Sequence, residues 1–455
     1  MLPPRLSNAI LRHGDNAHVW HPFTPMPAYE DEQAPIIESG KGFELIDTQG
    51  RHYLDGTSSL WCNVHGHRVF AIDQAIRDQL DRIGHSTLLG LSSVPSIELA
   101  CRLVRIVPRG LTRVFYSDSG ATAVEAALKI AVQFHRQRRS GASERTLFAA
   151  VADGYHGDTV GSVSVGRVPR FHAMYDRLLF PTRMVPNPGQ PSVGWAGTRD
   201  AWEAHCLTEL ERVIAAERDQ LAAFILEPLV QGAAGILVHS PHYLRQAREI
   251  TSRHGVLLIA DEVAVGFGRT GTMFACEQAG IVPDLLCLAK GLTGGYLPLA
   301  ATLCTDEIEE AFRGAPQEGR TFYHGHTYTG NPLGCAAAVA SLDMFQNNRV
   351  LDQVAANTRV LEEELAPLAN HPHVAEVRQQ GVLVGIELVQ DRDARSPFPA
   401  ARRTGHRVTL AARRLGAIIR PIGDVVTLVP APAMPSELVR QLCHVAREAI
   451  DEAVA

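Results

Sequence analysis

Two carboxylates and one lysine stand at positions where they can act together on a bound ligand. Asp261 and Glu262 come directly after the apolar run Val256–Ala260, and Lys290 comes directly after the apolar run Leu285–Ala289. Runs without a polar face are typical of strands that are buried on both sides in a parallel sheet. Ligands of open α/β sheets bind at the carboxyl ends of the strands. The spacing therefore predicts an amine and an acid on either side of one ligand.

Each of these groups also has an ordinary structural explanation when it is taken alone. An Asp-Glu pair after a strand is commonly a helix cap or a solvated turn, and a lysine there is commonly a surface residue. A partly buried lysine, however, has its pKa lowered from about 10.4, which makes it a nucleophile and a base for carbonyl chemistry. A facing acid suits the ring nitrogen of a pyridine cofactor. Because successive strand residues point to opposite faces, only one of Asp261 and Glu262 can take that position.

The segments around these residues resemble a known family. ADEVAVGFGRTG at 260–271, followed by PDLLCLAKGLTGG at 283–295, is similar to the class III aminotransferases, which belong to fold type I of the enzymes that use pyridoxal 5′-phosphate (PLP). The resemblance implies an aminotransferase with PLP as its cofactor. It also implies that Lys290 carries the cofactor and moves protons in catalysis, and that Asp261 rather than Glu262 pairs with the ring nitrogen.

Two further strand ends carry residues that suit a phosphate and an aromatic ring. Ser119 and Gly120 join a strand to a helix, where free N–H groups attract a phosphate, although an ordinary helix cap has the same composition. Glycines flank Tyr155 in the segment GYHGDT at 154–159, where a plain turn is the alternative. The resemblance implies that Gly120 and Ala121 bind the cofactor phosphate. It implies that Tyr155 covers the cofactor ring and takes part in catalysis and substrate binding.

A third segment, YHGHTYTGNP at 323–332, resembles the loop that crosses the homodimer interface in this family. The resemblance implies that Thr327 reaches the cofactor phosphate of the partner subunit, so that the active protein is a homodimer. It places His326 beside the cofactor and Gly325 beside the substrate.

Segments near both ends of the chain resemble one branch of the family, which acts in biotin synthesis. They are WHPFTPM at 20–26, SSLW at 58–61 and IRPIG at 419–423. The resemblance implies 8-amino-7-oxononanoate as the amino acceptor and Arg420 as the residue that binds its carboxylate, for which a guanidinium is a bidentate partner. The other substrate contacts that it implies are Phe23, Leu60, Trp61, Tyr155 and Lys290.

The amino donor of this branch is either S-adenosylmethionine or L-lysine. Members that use S-adenosylmethionine have Tyr and Trp where this chain has Phe23 and Leu60. A missing hydroxyl partner and a missing aromatic contact each weaken binding by roughly 0.5–1.5 kcal/mol. The segment LWCNVHGHR at 60–68 is similar to the members that use lysine. We therefore expect L-lysine as the donor.

Other functions are compatible with parts of the sequence. A class III aminotransferase for an ω-amino acid or a polyamine is the main alternative, and a PLP-binding protein without turnover is another. The segment Gly266–Gly271 fits the GxGxxG pattern of a dinucleotide-binding dehydrogenase, but it begins five residues after the acidic strand end and no clear helix follows it. The pairs at His65 and His67 and at His324 and His326 lack the partners of a metallohydrolase, so we expect no metal.

The composition restricts the class of protein. A net charge of −6 argues against a general nucleic-acid binder. The first twenty residues lack the apolar core of a signal peptide, and no run approaches the ~20 apolar residues that span a bilayer. The eight cysteines form no CxxC pair, which predicts buried free thiols in a reducing cytoplasm.

The pattern of strands and helices predicts how these residues are positioned. Strands and helices alternate regularly between Thr112 and Cys304, which predicts a mostly parallel sheet between helices in an α/β fold. The family resemblance implies seven strands in that sheet. We place this large PLP-binding domain at 61–335 and a smaller α+β domain at 336–455. Residues 1–60, with a hairpin predicted at Gly42–Asp55, form a segment that joins the smaller domain.

Overall fold

The computed structural model describes residues 6–138, 141–192 and 194–455, so residues 1–5 of the predicted N-terminal segment lie outside the described residues. The strands, numbered in chain order, are β1 Ile37–Lys41, β2 Glu44–Asp47, β3 His52–Asp55, β4 Leu111–Ser117, β5 Leu147–Val151, β6 Thr182–Val185, β7 Leu221–Leu226, β8 Val230–Gln231, β9 Leu237–Val238, β10 Leu257–Asp261, β11 Leu285–Leu288, β12 Ala300–Thr305, β13 Val374–Gln380, β14 Leu383–Leu388, β15 Ala417–Ile418, β16 Arg420–Ile422 and β17 Val425–Leu428.

Helices connect most of these strands. The α-helices are Asn8–His18, Met26–Glu32, Phe70–Leu80, Val94–Ile106, Gly120–Gln137, Val160–Val165, Pro169–His172, Arg199–Glu217, Pro241–Arg253, Cys276–Ala279, Asp306–Ala311, Pro332–Asn347, Val350–Leu365, Thr404–Arg414 and Ser436–Val454. Short 3-10 turns cover Ala173–Leu178, Lys290–Thr293, Pro316–Glu318, Ala366–Asn370 and Ala400–Arg402. The single helical turn Ser58–Trp61 is left-handed.

The largest sheet of the described residues has seven strands in the order β4-β12-β11-β10-β7-β5-β6. Strand β12 runs antiparallel to both of its neighbours, and the other pairs are parallel. Alternate residues of β10 enter separate cores, with Leu258 and Ala260 on one face and Leu257 and Ile259 on the other. The mostly parallel sheet expected from the apolar strands is confirmed.

Helices cover both faces of this sheet. The helix Gly120–Gln137 buries Ala123, Ala127 and Phe134 in the core on one face. The helices Val94–Ile106, Arg199–Glu217 and Pro241–Arg253 contribute to the core on the other face. Because both faces of the strands are covered, only their ends remain open to ligands.

Two smaller sheets bring the ends of the chain together. The first has the order β1-β2-β3-β15, so the predicted hairpin is confirmed as the antiparallel pair β2 and β3. Strand β15, from the C-terminal part, lies parallel to β3. The second sheet has the order β13-β14-β17-β16. The domain boundaries at residues 60 and 335 stay predictions.

The cysteines are free thiols. The prediction of burial is correct for Cys206, Cys276, Cys287, Cys304, Cys335 and Cys443. It is wrong for Cys101, which lies on the exposed side of its helix, while Cys62 is half-buried beside the site. Within the described parts of the chain, no helix is both long and apolar enough to cross a bilayer.

Candidate active site

A cavity of about 680 Å³ lies at the carboxyl ends of β7, β10 and β11. Its walls include six of the residues singled out from the sequence, namely Trp61, Gly120, Ala121, Tyr155, Asp261 and Lys290. They come from segments that are distant in the chain, and all except Trp61 end or follow strands of the large sheet, whose carboxyl ends meet at one edge. The fold therefore gathers the predicted acid, amine and phosphate-binding loop in one space.

Asp261 is the member of the carboxylate pair that lines this cavity. Its Oδ2 lies 2.7 Å from Nδ1 of His156, and its Oδ1 accepts a hydrogen bond from the N–H of Val263 at 3.0 Å. Glu262 points to the other face, where it accepts hydrogen bonds from the N–H groups of Ala275 and Cys276 at 2.6 and 2.9 Å. Burial raises the pKa of Glu262 to about 7.

Lys290 begins a 3-10 turn immediately after β11, with a backbone φ of 43°. Its Nζ lies 5.1 Å from the centre of a Trp61 ring. Burial lowers the pKa of Lys290, and the carboxylates of Asp261 and Glu227 oppose part of that shift. A lysine with a lowered pKa holds more of the neutral amine near pH 7, which is the form that attacks carbonyl carbons and accepts protons.

Glu227 and His156 line the same cavity and were not identified from the sequence. Glu227 directly follows β7 and accepts hydrogen bonds from the N–H groups of Tyr155 and Gly232, both at 3.0 Å. Burial raises its pKa to about 7. The strand-end argument that selected Asp261 applies equally to Glu227 and could have found it. No sequence signal indicates that His156 turns toward Asp261.

Tyr155 lies between these groups and the outer part of the site. Its hydroxyl donates a hydrogen bond to Oδ2 of Asp158 at 2.7 Å, and burial together with that carboxylate raises its pKa. Its backbone is fixed by Glu227. The ring therefore has a set position on the cavity wall, as a residue covering a flat ligand requires.

The helix Gly120–Gln137 points its N-terminus into the cavity. Ser119 and Thr122 form a reciprocal capping box, while the first N–H groups of a helix have no acceptor within the helix. The packing here excludes larger residues: a Cβ on Gly157 would come within 2.4 Å of the Ala121 Cβ, and a Cβ on Gly120 within 2.6 Å of Val263. These features fit the phosphate of the predicted cofactor.

The turn Ser58–Trp61 has left-handed backbone angles, with φ of 50°, 49°, 71° and 68° in order. This conformation costs an L-residue roughly 1–2 kcal/mol, so the turn needs strong partners. Asp55 accepts hydrogen bonds from the N–H and the hydroxyl of Ser59 at 2.9 and 2.7 Å, and the N–H of Trp61 donates to the carbonyl of Thr57 at 2.7 Å. The turn sets Trp61 against Lys290.

Phe23, Leu60 and Arg420 line a second cavity, of about 760 Å³, and not the first. A third cavity, of about 670 Å³, adjoins both, because Phe23 and Arg420 also line the second cavity and Asp158 also lines the first. Arg170 lines the second and third cavities. The predicted substrate residues thus extend outward from the acid and the amine.

The loop 323–332 contributes no lining residue to the three cavities of this chain. Gly325 and Thr327 are exposed and line none of the three cavities described above. The ring of His326 lies 3.8 Å from Oδ2 of Asp118, which lines the first cavity. The roles expected for these loop residues stay predictions.

Comparison with known proteins identifies the family. The model of the family described as aminotransferase class-III matches residues 26–450. An adenosylmethionine-8-amino-7-oxononanoate aminotransferase of Nitratidesulfovibrio vulgaris is 55% identical over 442 residues, which cover 97% of this chain and 82% of that protein. This chain belongs to the class III aminotransferases. A protein of the same description from Geobacter sulfurreducens is 47% identical and covers 95% of this chain and 96% of its own.

Solved structures agree with this assignment. The crystal structure of an adenosylmethionine-8-amino-7-oxononanoate aminotransferase from Methanocaldococcus jannaschii has a TM-score of 0.92 at 42% identity, over 98% of this chain and 99% of that one. A PLP-bound amine transaminase from an uncultivated Pseudomonas species has a TM-score of 0.90 at 34% identity, over 96% of this chain and 99% of that one. The predicted fold type I is confirmed, and the family supports PLP as the cofactor.

Proposed function

We propose that this protein transfers an amino group to 8-amino-7-oxononanoate and so forms 7,8-diaminononanoate, with PLP as its cofactor. The observation that carries this proposal is that the cavities adjoin, since Asp158 lines both the cavity of Lys290 and the third cavity, which Arg420 also lines. A long keto acid has its carboxylate far from its carbonyl carbon, so it needs a guanidinium set apart from the amine. The names of relatives at 55% and 47% identity support this acceptor.

The residues of the first cavity are suited to hold the cofactor. Gly120 and Ala121 would hold its phosphate, Asp261 its ring nitrogen and Lys290 its aldehyde carbon. When bound, PLP supplies the aldehyde that takes up the transferred amino group and a ring that withdraws electrons from the reacting carbon. The hydrogen bonds of Asp261 with His156 and Val263 keep its carboxylate in one orientation toward the cavity.

Lys290 is the residue that moves the proton in both halves of the reaction. Burial lowers the pKa of its amine, so Nζ can take a proton from a substrate carbon and return it. The positions of Trp61 and Tyr155 on the cavity walls limit the access of water to this nitrogen. Exclusion of water strengthens the electrostatic interactions between the charged groups of the site.

The second and third cavities bind the part of the keto acid that lies beyond its carbonyl carbon. The guanidinium of Arg420 suits its carboxylate, and the apolar side chains of Phe23 and Leu60 suit its methylene chain. Phe23 is held edge-to-face against Phe171, with 5.4 Å between the ring centres. The acceptor therefore has an apolar path that ends at a positive charge.

The amino donor follows from the same two residues. Phe23 has no hydroxyl and Leu60 has no aromatic ring, and both differences favour L-lysine over S-adenosylmethionine. The relatives are named for adenosylmethionine, so the two donors have to be compared directly. Steady-state assays with each donor at the same keto-acid concentration make this comparison. Efficient turnover with S-adenosylmethionine and none with L-lysine would show that Phe23 and Leu60 do not determine the donor.

We infer a homodimer in which Thr327 reaches the partner's cofactor phosphate. Thr327 is exposed, as a residue that acts on a second subunit must be. Large apolar side chains are also exposed along a nearby stretch of the chain, including Leu89, Leu91, Val94 and Ile97. Exposed apolar surface of this kind is typical of a protein interface. A cytoplasmic location stays a prediction.

A class III aminotransferase with a different acceptor is the second candidate. Omega transaminases from Pseudomonas jessenii have the same fold, with TM-scores of 0.91 at 29% identity. The deciding experiment incubates the PLP-loaded protein with a donor and either 8-amino-7-oxononanoate or pyruvate, and measures the aminated product by mass spectrometry. We expect 7,8-diaminononanoate from the first acceptor. Alanine from an ω-amino acid and pyruvate, without 7,8-diaminononanoate, would favour the second candidate.

A further inference from the structure

The loop Gly266–Gly271, whose glycine pattern suggested a dinucleotide, packs instead against the turn that begins at Lys290. A Cβ on Gly291 would come within 2.9 Å of the Phe267 Cβ, which shows how closely the two segments approach. Phe267 and Gly268 have positive φ angles of 56° and 86°. The carbonyl of Arg269 accepts a hydrogen bond from the N–H of Val382 at 2.9 Å. The backbone of this loop is therefore held on two sides.

The side chain of Arg269 lies inside the protein, with only 1% of the residue exposed. Its guanidinium donates hydrogen bonds to the carbonyls of Pro430 and Asn63, both at 2.8 Å, and to the hydroxyl of Ser58 at 3.2 Å. Within the described residues it forms no ion pair with a carboxylate at 4.0 Å or less. Burial lowers its pKa to about 10. A buried charge is costly even though the negative charge of Asp55 offsets part of the cost, and the three hydrogen bonds of Arg269 satisfy its guanidinium inside the protein.

The partners of Arg269 flank the left-handed turn Ser58–Trp61. Ser58 begins the turn and Asn63 follows it by two residues, while Pro430 lies in the C-terminal part of the chain. The hydroxyl of Ser58 also donates a hydrogen bond to the carbonyl of Val429 at 2.5 Å. Arg269 thus joins three parts of the chain at the point where the backbone is strained.

The turn presents two side chains to the cavities. Trp61 lies over Nζ of Lys290, and its ring packs so closely on Gly232 that a Cβ there would come within 2.7 Å of it. Leu60 lines the neighbouring cavity. A shift of the turn would move both side chains relative to the amine.

We propose that Arg269 is a positioning residue, which holds the turn Ser58–Trp61 so that Trp61 lies over the amine of Lys290 and Leu60 lines the substrate cavity. The enzymatic part of this inference rests on the proposed aminotransferase function. Misplacement of reacting groups by about 1 Å can lower a rate by roughly a hundredfold. Arg269 therefore affects catalysis through Trp61 without touching the substrate.

The first test is a double-mutant cycle measured by kcat/KM for the keto acid. We expect Arg269→Lys to lower kcat/KM by about tenfold to a hundredfold. Trp61→Leu should lower kcat/KM at least as much. The kcat/KM of the double variant should lie within about twofold of that of Trp61→Leu alone, because both substitutions remove the same effect, which is the position of the Trp61 ring. Losses that multiply in the double variant would contradict the inference, since Arg269 would then act independently of Trp61.

Arg145→Lys is the matched control. Arg145 is also buried, with 8% of the residue exposed, and donates a hydrogen bond to a carbonyl, that of Gly255, at 2.7 Å. It lines none of the three cavities described above. Arg145→Lys removes a buried guanidinium away from the turn Ser58–Trp61. It should therefore keep kcat/KM within about twofold of the parent value.

The second test uses the protein without cofactor or substrate. The near-ultraviolet circular dichroism of the parent minus that of Trp61→Phe gives the signal of Trp61 in its fixed position. Arg269→Lys should lose most of that signal, whereas Arg145→Lys should keep it. Should Arg269→Lys fail to fold, Ser58→Ala replaces it, since it removes the hydroxyl that receives the hydrogen bond from Arg269.

The two tests separate the possible failures. A protein that does not aminate 8-amino-7-oxononanoate at all contradicts the proposed function, and the circular dichroism still decides the role of Arg269. A variant of Arg269, or of Ser58 in its place, that keeps both the Trp61 signal and kcat/KM would overturn the inference.

Discussion

Lys290 is one of three lysines in the sequence, the others being Lys41 and Lys129. It is the one with a place in the cavity, next to Trp61. We expect that reduction of the PLP-loaded protein with borohydride, followed by peptide mapping, places the cofactor on Lys290. A label on Lys41 or Lys129 would show that the amine of this site has been assigned wrongly.

Asp261 and Glu262 give a matched pair for the acid. Asp261→Asn should lower kcat by at least about a hundredfold, because the amide no longer supplies a negative charge to the ring nitrogen. Glu262→Gln should keep kcat near that of the parent, since Glu262 lies outside the cavity and accepts hydrogen bonds from the N–H groups of residues 275 and 276. Its cost should appear as a lower thermal stability. The reverse order of the two kcat values would mean that the opposite face of β10 serves the cofactor.

Arg420 is tested by the carboxylate that it is proposed to bind. Arg420→Gln should raise KM for 8-amino-7-oxononanoate by roughly tenfold to a hundredfold, the range expected for one charged hydrogen bond. It should have little effect on an amino ketone of the same length that lacks the carboxylate. Arg177→Gln, at an exposed arginine that lines none of the three cavities, is the control. An equal rise in KM for both ketones would exclude a carboxylate contact.

At the scale of the elements, the approach of the loop after β5 to the helix Gly120–Gln137 shapes the phosphate site. Gly157→Ala would force a Cβ to within 2.4 Å of the Ala121 Cβ, at a φ of 117°. We expect a fall in PLP affinity of at least about tenfold, because the helix N-terminus must move. Gly255→Ala is the control, since Gly255 also has a positive φ, of 62°, but has open space around it. Fluorescence titration of the apoprotein with PLP measures both, and equal affinities would contradict the prediction.

The elements also show what the sequence could and could not predict. The ends of β10 and β11 were predictable, because their apolar runs are local patterns and the chemistry follows directly after them. The turn Ser58–Trp61 was not, because its left-handed angles are disfavoured locally and its Ser58 hydroxyl is bonded to Arg269 and to the carbonyl of Val429, which lies 371 residues from Ser58. Glu227 could have been found by the strand-end argument, whereas the orientation of His156 depends on a contact across 105 residues.

At the scale of the whole molecule, the proposed dimer places Thr327 of one subunit in the site of the other. Thr327→Asp should abolish PLP-dependent activity, because it puts a negative charge beside the phosphate, and Lys290→Ala should do the same. Mixing the two inactive variants should restore activity, since one site of the mixed dimer then contains Lys290 and the partner's Thr327. Mixed dimers without any activity would show that Thr327 does not serve the partner. Dimers that are recovered after mixing have to be verified by mass spectrometry.

The pairing of β3 with β15 joins residues that the ribosome synthesises at very different times. Leu54 lies opposite Ala417, a separation of 417 − 54 = 363 residues. At about 5–20 residues per second, a ribosome needs roughly 20–70 s to cover that interval. The separation is longer still for the Ser58 hydroxyl and the Val429 carbonyl, at 371 residues, and it is 161 residues for Arg269 and the Pro430 carbonyl. The nascent chain therefore contains Lys290 and Asp261 well before the segments that hold Trp61 at Lys290 have been synthesised, and the site becomes complete only after residues 429 and 430 have left the ribosome.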